Sequence, residues 1–262
     1  MNLTKVRKCN TLCNLAFCLI YESWNGFVAW LCQPFYSVSV TTGIYVGDGK
    51  VIHFTVGQDR EGGQEIGTGT MSSRIIVGST SSFPSKNPCP ICGDQSKLDG
   101  VISSCIDCFL SGGELYLYKY GVTLAFFLAK LRGGTCTFAP SDPPEEVIHR
   151  ASYLLQIGNG FGVYDVFKNN CKDFAIYCKT GLLLDTTQGR SLQVASYVAA
   201  ACLILSSPLS CVPAAGYGLY CVGRLAFDTG ISPYFKKVPV ETLVSLYAQH
   251  ESQAVTEIAG TD

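Results

Sequence analysis

The clearest alternation of apolar and polar positions lies early in the chain. GIYV (43–46) and VIHFT (51–55) are short β-rich runs, and GDGK (47–50) between them supplies two glycines able to take positive φ, so the pattern predicts a hairpin. The Gly-rich segment GQDREGGQEIGTGT (57–70) then predicts a loop leading to another strand near 75–77. Residues 80–100 are rich in Ser, Pro, Asn and Cys and read as an inserted loop, and GELYLYKYGV (113–122) alternates as a strand does. The period then changes. In SDPPEEVIHRASYLLQ (141–156), Val147, Ile148, Ala151, Leu154 and Leu155 fall on one helical face, with Asp142 as cap, prolines in the first turn, and Glu145 and Glu146 suiting the helix dipole. A second helix is predicted from Cys171, capped by Asn170 and closed by Gly181. Residues 191–223 carry no Asp, Glu, Lys or Arg but include Pro208 and Pro213; this run reads as a kinked span, a membrane hairpin of two short helices, or a pair of buried core helices. The last forty residues return to ordinary amphipathic character.

Composition narrows the function classes. A net charge of -1 over 262 residues provides no basic surplus to neutralise phosphates, which argues against a nucleic-acid partner. Only 15% of residues are charged and 47% are hydrophobic, a greasy balance that points to membrane contact. Near the start, Lys5, Arg7 and Lys8 precede NLAFCLI, in the manner of a signal peptide, but YESWNG interrupts the apolar run and no clean cleavage site follows. The first forty residues therefore read as an irregular leader.

Cysteine placement carries more than cysteine number. Cys89/Cys92 and Cys105/Cys108 are two CxxC pairs separated by twelve residues, the spacing of a four-cysteine zinc knuckle. Such a site leaves no open ligand position, so the expected Zn²⁺ is structural, with free thiols or disulfides as the alternative. Paired ligands of this kind favour a reducing, intracellular compartment. Cys171 is a candidate nucleophile, because a thiol in the first helical turn faces unpaired N–H groups that favour its thiolate, and Lys168 and Lys172 add positive charge. Cys178, mid-helix, reads as inert core. A thiol nucleophile needs a base, and the chain has three histidines: His149 on the outer face of a helix, His250 in the tail, and His53 on a strand between Ile52 and Phe54.

GIYVGDGKVIHF, followed far downstream by NNCKDF, resembles the lecithin:retinol acyltransferase (LRAT) domain family, most closely its plant members. EIGTGT, SSCIDCFLSGG, LRGGTCT, VIHRASYLL and NGFGVYDVFKNNCKDFAIYCKTGLL extend the resemblance, in order, from about 41 to 223. It implies an α+β, permuted papain-like fold of the NlpC/P60 type: a small antiparallel sheet with packed helices, a four-cysteine insertion near 86–110 within a domain at 41–190, an apolar membrane-associating segment at 191–225, and a C-terminal tail at 226–262. It also implies a cysteine that takes an acyl group from a lipid ester as a thioester and passes it to an alcohol, an amine or water. Carried over, Cys171 is the nucleophile and His53 the second histidine, which orients the first.

The first histidine, the family's general base, belongs twelve residues before His53, and that position holds Thr41, followed by Thr42. Threonine takes no proton near neutral pH, so the base is missing. NCKDF also departs from the family, which places an acidic residue where Lys172 stands. The match begins abruptly at Gly43, leaving open a divergent leader or a wrongly assembled gene segment for the first 42 residues. The implied function is an impaired acyltransferase or acyl hydrolase on the cytosolic face of a membrane. A non-catalytic lipid-binding or scaffold pseudoenzyme is the alternative, and an NlpC/P60-type cysteine peptidase is a weaker one, since such a peptidase has no use for the apolar run.

Overall fold

The computed structural model describes residues 17–22, 40–57, 88–111, 114–130, 135–165, 169–184, 199 and 211–259. Its centre is a five-stranded antiparallel sheet ordered β4-β3-β2-β1-β5, from β1 (Phe17–Glu22), β2 (Val40–Gly47), β3 (Lys50–Thr55), β4 (Gly100–Cys105) and β5 (Glu114–Leu117). The expected hairpin is present. Gly47, Asp48 and Gly49 all take positive φ, and two of the three are glycines that do so without Cβ cost.

Helices α1 (Ile106–Leu110), α2 (Leu124–Ala129), α3 (Pro144–Ile157), α4 (Cys171–Thr180), α5 (Cys211–Ala226) and α6 (Val240–Ala259) surround the sheet, and β6 (Leu182–Leu184) pairs with β7 (Phe235–Lys237) beside them. Strand alternation gives the sheet two different faces. Ile44, Ile52, Phe54 and Val101 meet Val147, Ala151 and Leu154 of α3, Phe174, Ala175 and Cys178 of α4, and Leu243 of α6 in the main core. Val51 packs with Phe109 of α1 on the other face, in a second, smaller cluster. Gly43 is tightly enclosed there: a Cβ would lie 2.7 Å from Val51 Cγ1, 3.0 Å from the Phe109 ring and 3.1 Å from His53 Cβ.

Several expectations need correcting. The leader is not wholly irregular, since residues 17–22 form β1 in the interior of the sheet, between β2 and β5. Pro143, not Asp142, caps α3 and offers no side-chain bond; Asp142 instead binds Arg150 at 2.7 Å and Lys237 at 2.9 Å. The strand expected over 113–122 is cut to β5, after which Lys119 bridges to Cys136 in parallel fashion. The strand expected near 75–77 and most of 191–210 lie outside the described residues. No described helix is long and apolar enough to cross a membrane. From 211 on, the charge-free run belongs to α5, which exposes Tyr217 and Val222 and buries Arg224 over the Phe127 ring.

Candidate functional site

Cys171 is the first residue of α4. Asn170 caps the helix by accepting from the N–H groups of Lys172 and Asp173, and Asp173 returns the bond by accepting from the Asn170 N–H at 3.0 Å, a closed capping box. Gly181, in the left-handed conformation, ends the helix as expected. This fixes the direction of the first turn and delivers the Cys171 side chain into the protein, where it is 5% exposed. Burial pushes the thiol above its ordinary pKa, although hydrogen bonds from the Thr42 backbone, the Tyr164 hydroxyl and the Thr42 hydroxyl work in the opposite direction. The activation anticipated from the helix terminus is therefore outweighed by desolvation. Lys168 lies outside the described residues. Cys178 is fully buried in the main core, as its mid-helix position implied.

His53 is fully buried as well, but on the other face of the sheet. Its ring stands edge-on to Phe109, with centroids 5.3 Å apart, and its Nε2 lies 2.8 Å from Ser104 Oγ. Ser104 donates to Gln95 Oε1 at 2.6 Å, and Gln95 Nε2 donates to the Ser103 carbonyl at 2.8 Å. These bonds determine the tautomer. The Gln95 oxygen can only accept, so the serine hydroxyl spends its proton there and must accept from His53 Nε2–H. Among the described residues, Nδ1 is left as a bare, buried acceptor with no partner. Burial lowers the His53 pKa to about 4, so the ring is neutral at pH 7.

The predicted site residues thus fall into two groups. Cys171 meets Thr42 and Tyr164, whereas His53 meets Ser104, Gln95 and Phe109. Thr41 is buried and, by the alternation of β2, belongs to the face of Gly43 and His53; its neighbour Thr42 faces α4. Thr42, Tyr164, Ser104 and Gln95 carry no motif that singles them out. The register Val51↔Ser104 and His53↔Ile102 brings Ser104 to His53, a pairing that the sequence, with no strand expected at 100–105, does not show. His149 is largely exposed and touches Glu241 at 3.5 Å, as its position off the apolar helix face required. His250 lies in α6.

The four cysteines do come together. Their sulfurs all lie within 4.8 Å of one another, with Cys92–Cys108 at 3.3 Å, Cys92–Cys105 at 3.5 Å and Cys89–Cys105 at 3.8 Å. Sulfurs at the corners of a tetrahedron with 2.3 Å metal–sulfur bonds are about 3.8 Å apart. The N–H of Ile91 points at Cys89 Sγ and that of Cys108 at Cys105 Sγ, each at 3.4 Å, the kind of outer-shell donation that orients thiolate ligands. N–H groups of Cys92 and Ile91 hold the Cys89 thiol down to about 6, while burial and the neighbouring thiols push Cys92 and Cys108 up. A thiol set that resists ionising together fits a divalent cation, which removes that repulsion.

Comparison with known proteins agrees with this architecture. The family model described as lecithin retinol acyltransferase matches residues 41–184. The chain belongs to the lecithin retinol acyltransferase family. It is also similar to Protein LEAD-SENSITIVE 1 of Arabidopsis thaliana, 49% identical over 213 residues that cover 77% of this chain and 78% of the relative. No solved structure matches. Membership of this family goes with acyltransferase- or hydrolase-type chemistry. The family match ends at residue 184, while the alignment with the plant relative covers more of the chain than that span.

Proposed function

We propose that this protein is an LRAT-type thiol acyltransferase or acyl hydrolase in which Cys171 takes the acyl group of a lipid ester and turnover is arrested for want of a base. One observation carries this reading: the Cys171 sulfur sits at a capped helix start against Thr42 and Tyr164, while the His53 ring is bonded to Ser104 on the other face. A thioester forms when the thiolate attacks the ester carbonyl and the alcohol leaves with a proton; both that proton and the later activation of water or an acceptor need a general base. The family's register puts the lost base at Thr41, but the side chain in contact with the sulfur is Thr42. His53 is a positioning residue on the opposite face rather than the group that moves the proton. Because catalytic residues act as a unit, losing one removes several powers of ten in rate.

The raised pKa of a buried Cys171 thiol also supports a second reading, a lipid-binding pseudoenzyme that keeps the fold without the chemistry. Incubation with an activated aryl ester of a fatty acid separates the two. A mass increment located on Cys171 supports the arrested enzyme; robust lipid binding with no adduct there defeats it.

We propose a metal and a membrane contact as well. Cys89, Cys92, Cys105 and Cys108 hold a structural Zn²⁺, supported by the sulfur spacing and the N–H donors, and chelation that leaves hydrogen exchange over 88–111 unchanged would remove that reading. Association with the cytosolic face of a membrane is supported by the charge-free 191–223 run and by the exposed Tyr217 and Val222 of α5; failure to float with lipid vesicles would exclude it.

A further inference from the structure

We propose that the four-cysteine cluster is a metal-dependent clamp on His53: the cation fixes the loop between the two CxxC pairs, and Gln95 and Ser104 of that loop hold the imidazole in one tautomer. The inference rests on the metal reading given above. Its basis is the origin of the two residues. Gln95 lies three positions after Cys92 and Ser104 lies directly before Cys105, so both links of the hydrogen-bond chain to His53 belong to the segment the cluster closes.

Apolar burial does little to hold the part of that segment before β4. Its large hydrophobic residues are turned outward, Ile91 at 72% and Leu98 at 44% exposure. Gln95 is joined to β4 by its own side chain, bonded to Ser103 and Ser104, and by the path of chain that runs from Cys92 through it to Cys105. A cation bound by Cys92 and Cys105 together ties the two ends of this path, and a loop of this kind takes its folding free energy from the metal. The clamp also reaches the hairpin. Ile106 N–H donates to Gly49 O at 2.8 Å, and Cys105 pairs with Lys50, so the cluster is anchored to β3 at the turn preceding His53. On the far side of His53, Gly43 pairs with it across β2 and β3, and Gly43 adjoins Thr42, which touches the Cys171 sulfur. One strand therefore separates the state of the clamp from the thiol.

The test uses the full chain labelled with ¹⁵N in histidine, with the His53 signals assigned from a His53→Gln variant. With one Zn²⁺ or Cd²⁺ per chain, His53 is expected to show a protonated Nε2 and a bare Nδ1, well separated and unchanged across neutral pH. Metal removal should collapse that separation toward averaged tautomers, and readdition of metal should restore it. Gln95→Ala should produce the same collapse with the metal still bound, and Ser104→Thr should preserve the holo pattern, results that general unfolding does not give. The absence of bound metal, or a ¹¹³Cd shift unlike four thiolates, overturns the metal reading and the clamp with it. One metal per chain with His53 unmoved by Gln95→Ala overturns the clamp alone.

Discussion

The two faces of the β2–β3 hairpin handle their polar groups in opposite ways. On the α1 face, the His53 Nε2–H, the Ser104 hydroxyl and the Gln95 amide form a chain in which each donor has an assigned acceptor. On the α4 face, the buried Cys171 thiol meets the polar groups of Thr42 and Tyr164. The family's chemistry requires an imidazole and a thiol to share a face. Here the His53 imidazole is held by Ser104 on one face, and the Cys171 thiol meets Thr42 and Tyr164 on the other. A conserved-looking pair of residues is therefore not a site until strand alternation has been counted.

The largest expected effect comes from putting a base on the thiol's face. Thr42→His should raise the rate of acyl release from Cys171 by about 10²- to 10⁴-fold, the usual contribution of a positioned general base, measured as turnover of an aryl fatty-acyl ester. Thr41→His, on the other face, should change turnover little and instead raise stability by offering an N–H to the bare His53 Nδ1. If Thr41→His restores turnover and Thr42→His does not, the separation of the two faces is wrong.

The next effect tests what holds α4, and with it Cys171, in place. Arg150 is buried on α3, where it donates to the Cys178 carbonyl at 2.9 Å and pairs with Asp142 at 2.7 Å. Arg150→Ala leaves that carbonyl and the Asp142 carboxylate short of a partner, at a cost of about 3–5 kcal/mol. The urea midpoint measures it. The His53 tautomer signature should survive in the fraction that remains folded, because none of its partners lies on α3 or α4.

Much of this arrangement was legible in the chain, and the illegible part has a definite physical origin. The hairpin, the capped helix at Cys171 and the outward His149 follow from local chemistry: glycines at positive φ, an Asn–Asp capping box, a 3.6-residue period. The cysteine cluster was legible because ligand spacing constrains geometry directly. The pairing of His53 with Ser104 was hidden because it depends on the register of residues 51 positions apart, one of them on a strand directly after the 80–100 segment whose Ser, Pro and Cys content reads as loop. The Cys171 pKa was misjudged because a helix terminus is a local feature while desolvation is a tertiary one. Asp142 shows the same competition, drawn from its expected capping role by Arg150 and by Lys237, 95 residues away.

His53 also supplies a pH signature for its face. Its pKa is about 4 in the fold, against an ordinary value of 6.5, so the unfolded chain binds the extra proton first as pH falls. Stability is then complete above the unfolded value, declines as pH drops from about 6.5 toward about 4, and loses about 3 kcal/mol over that window. Asp142 does not interfere there: burial opposes its ionisation, but hydrogen bonds from Lys237 and Arg150 hold its carboxyl below the usual range, so it acts only at lower pH. Urea midpoints at pH 7.5 and 5 should differ clearly for the wild type and far less for His53→Gln. An equal slope in the two proteins would show that His53 is not the buried neutral ring its hydrogen bonds describe.

The smallest effect is the cap. Asn170→Ala removes the acceptor for the Lys172 and Asp173 N–H groups at the start of α4, which costs about 1 kcal/mol. Its value lies in where the loss is felt. Fraying the first turn gives Cys171 access to water, which relieves the desolvation that raises its pKa, so alkylation by iodoacetamide at pH 8 should quicken on Cys171 while Cys178, deep in the same helix, stays inert. The His53 tautomer signals should not move, since the chain that holds them lies across the sheet. Should they move together with the Cys171 rate, β2 transmits between its two faces, and Gly43, paired with His53 and bonded to Thr42, is the residue through which it does so.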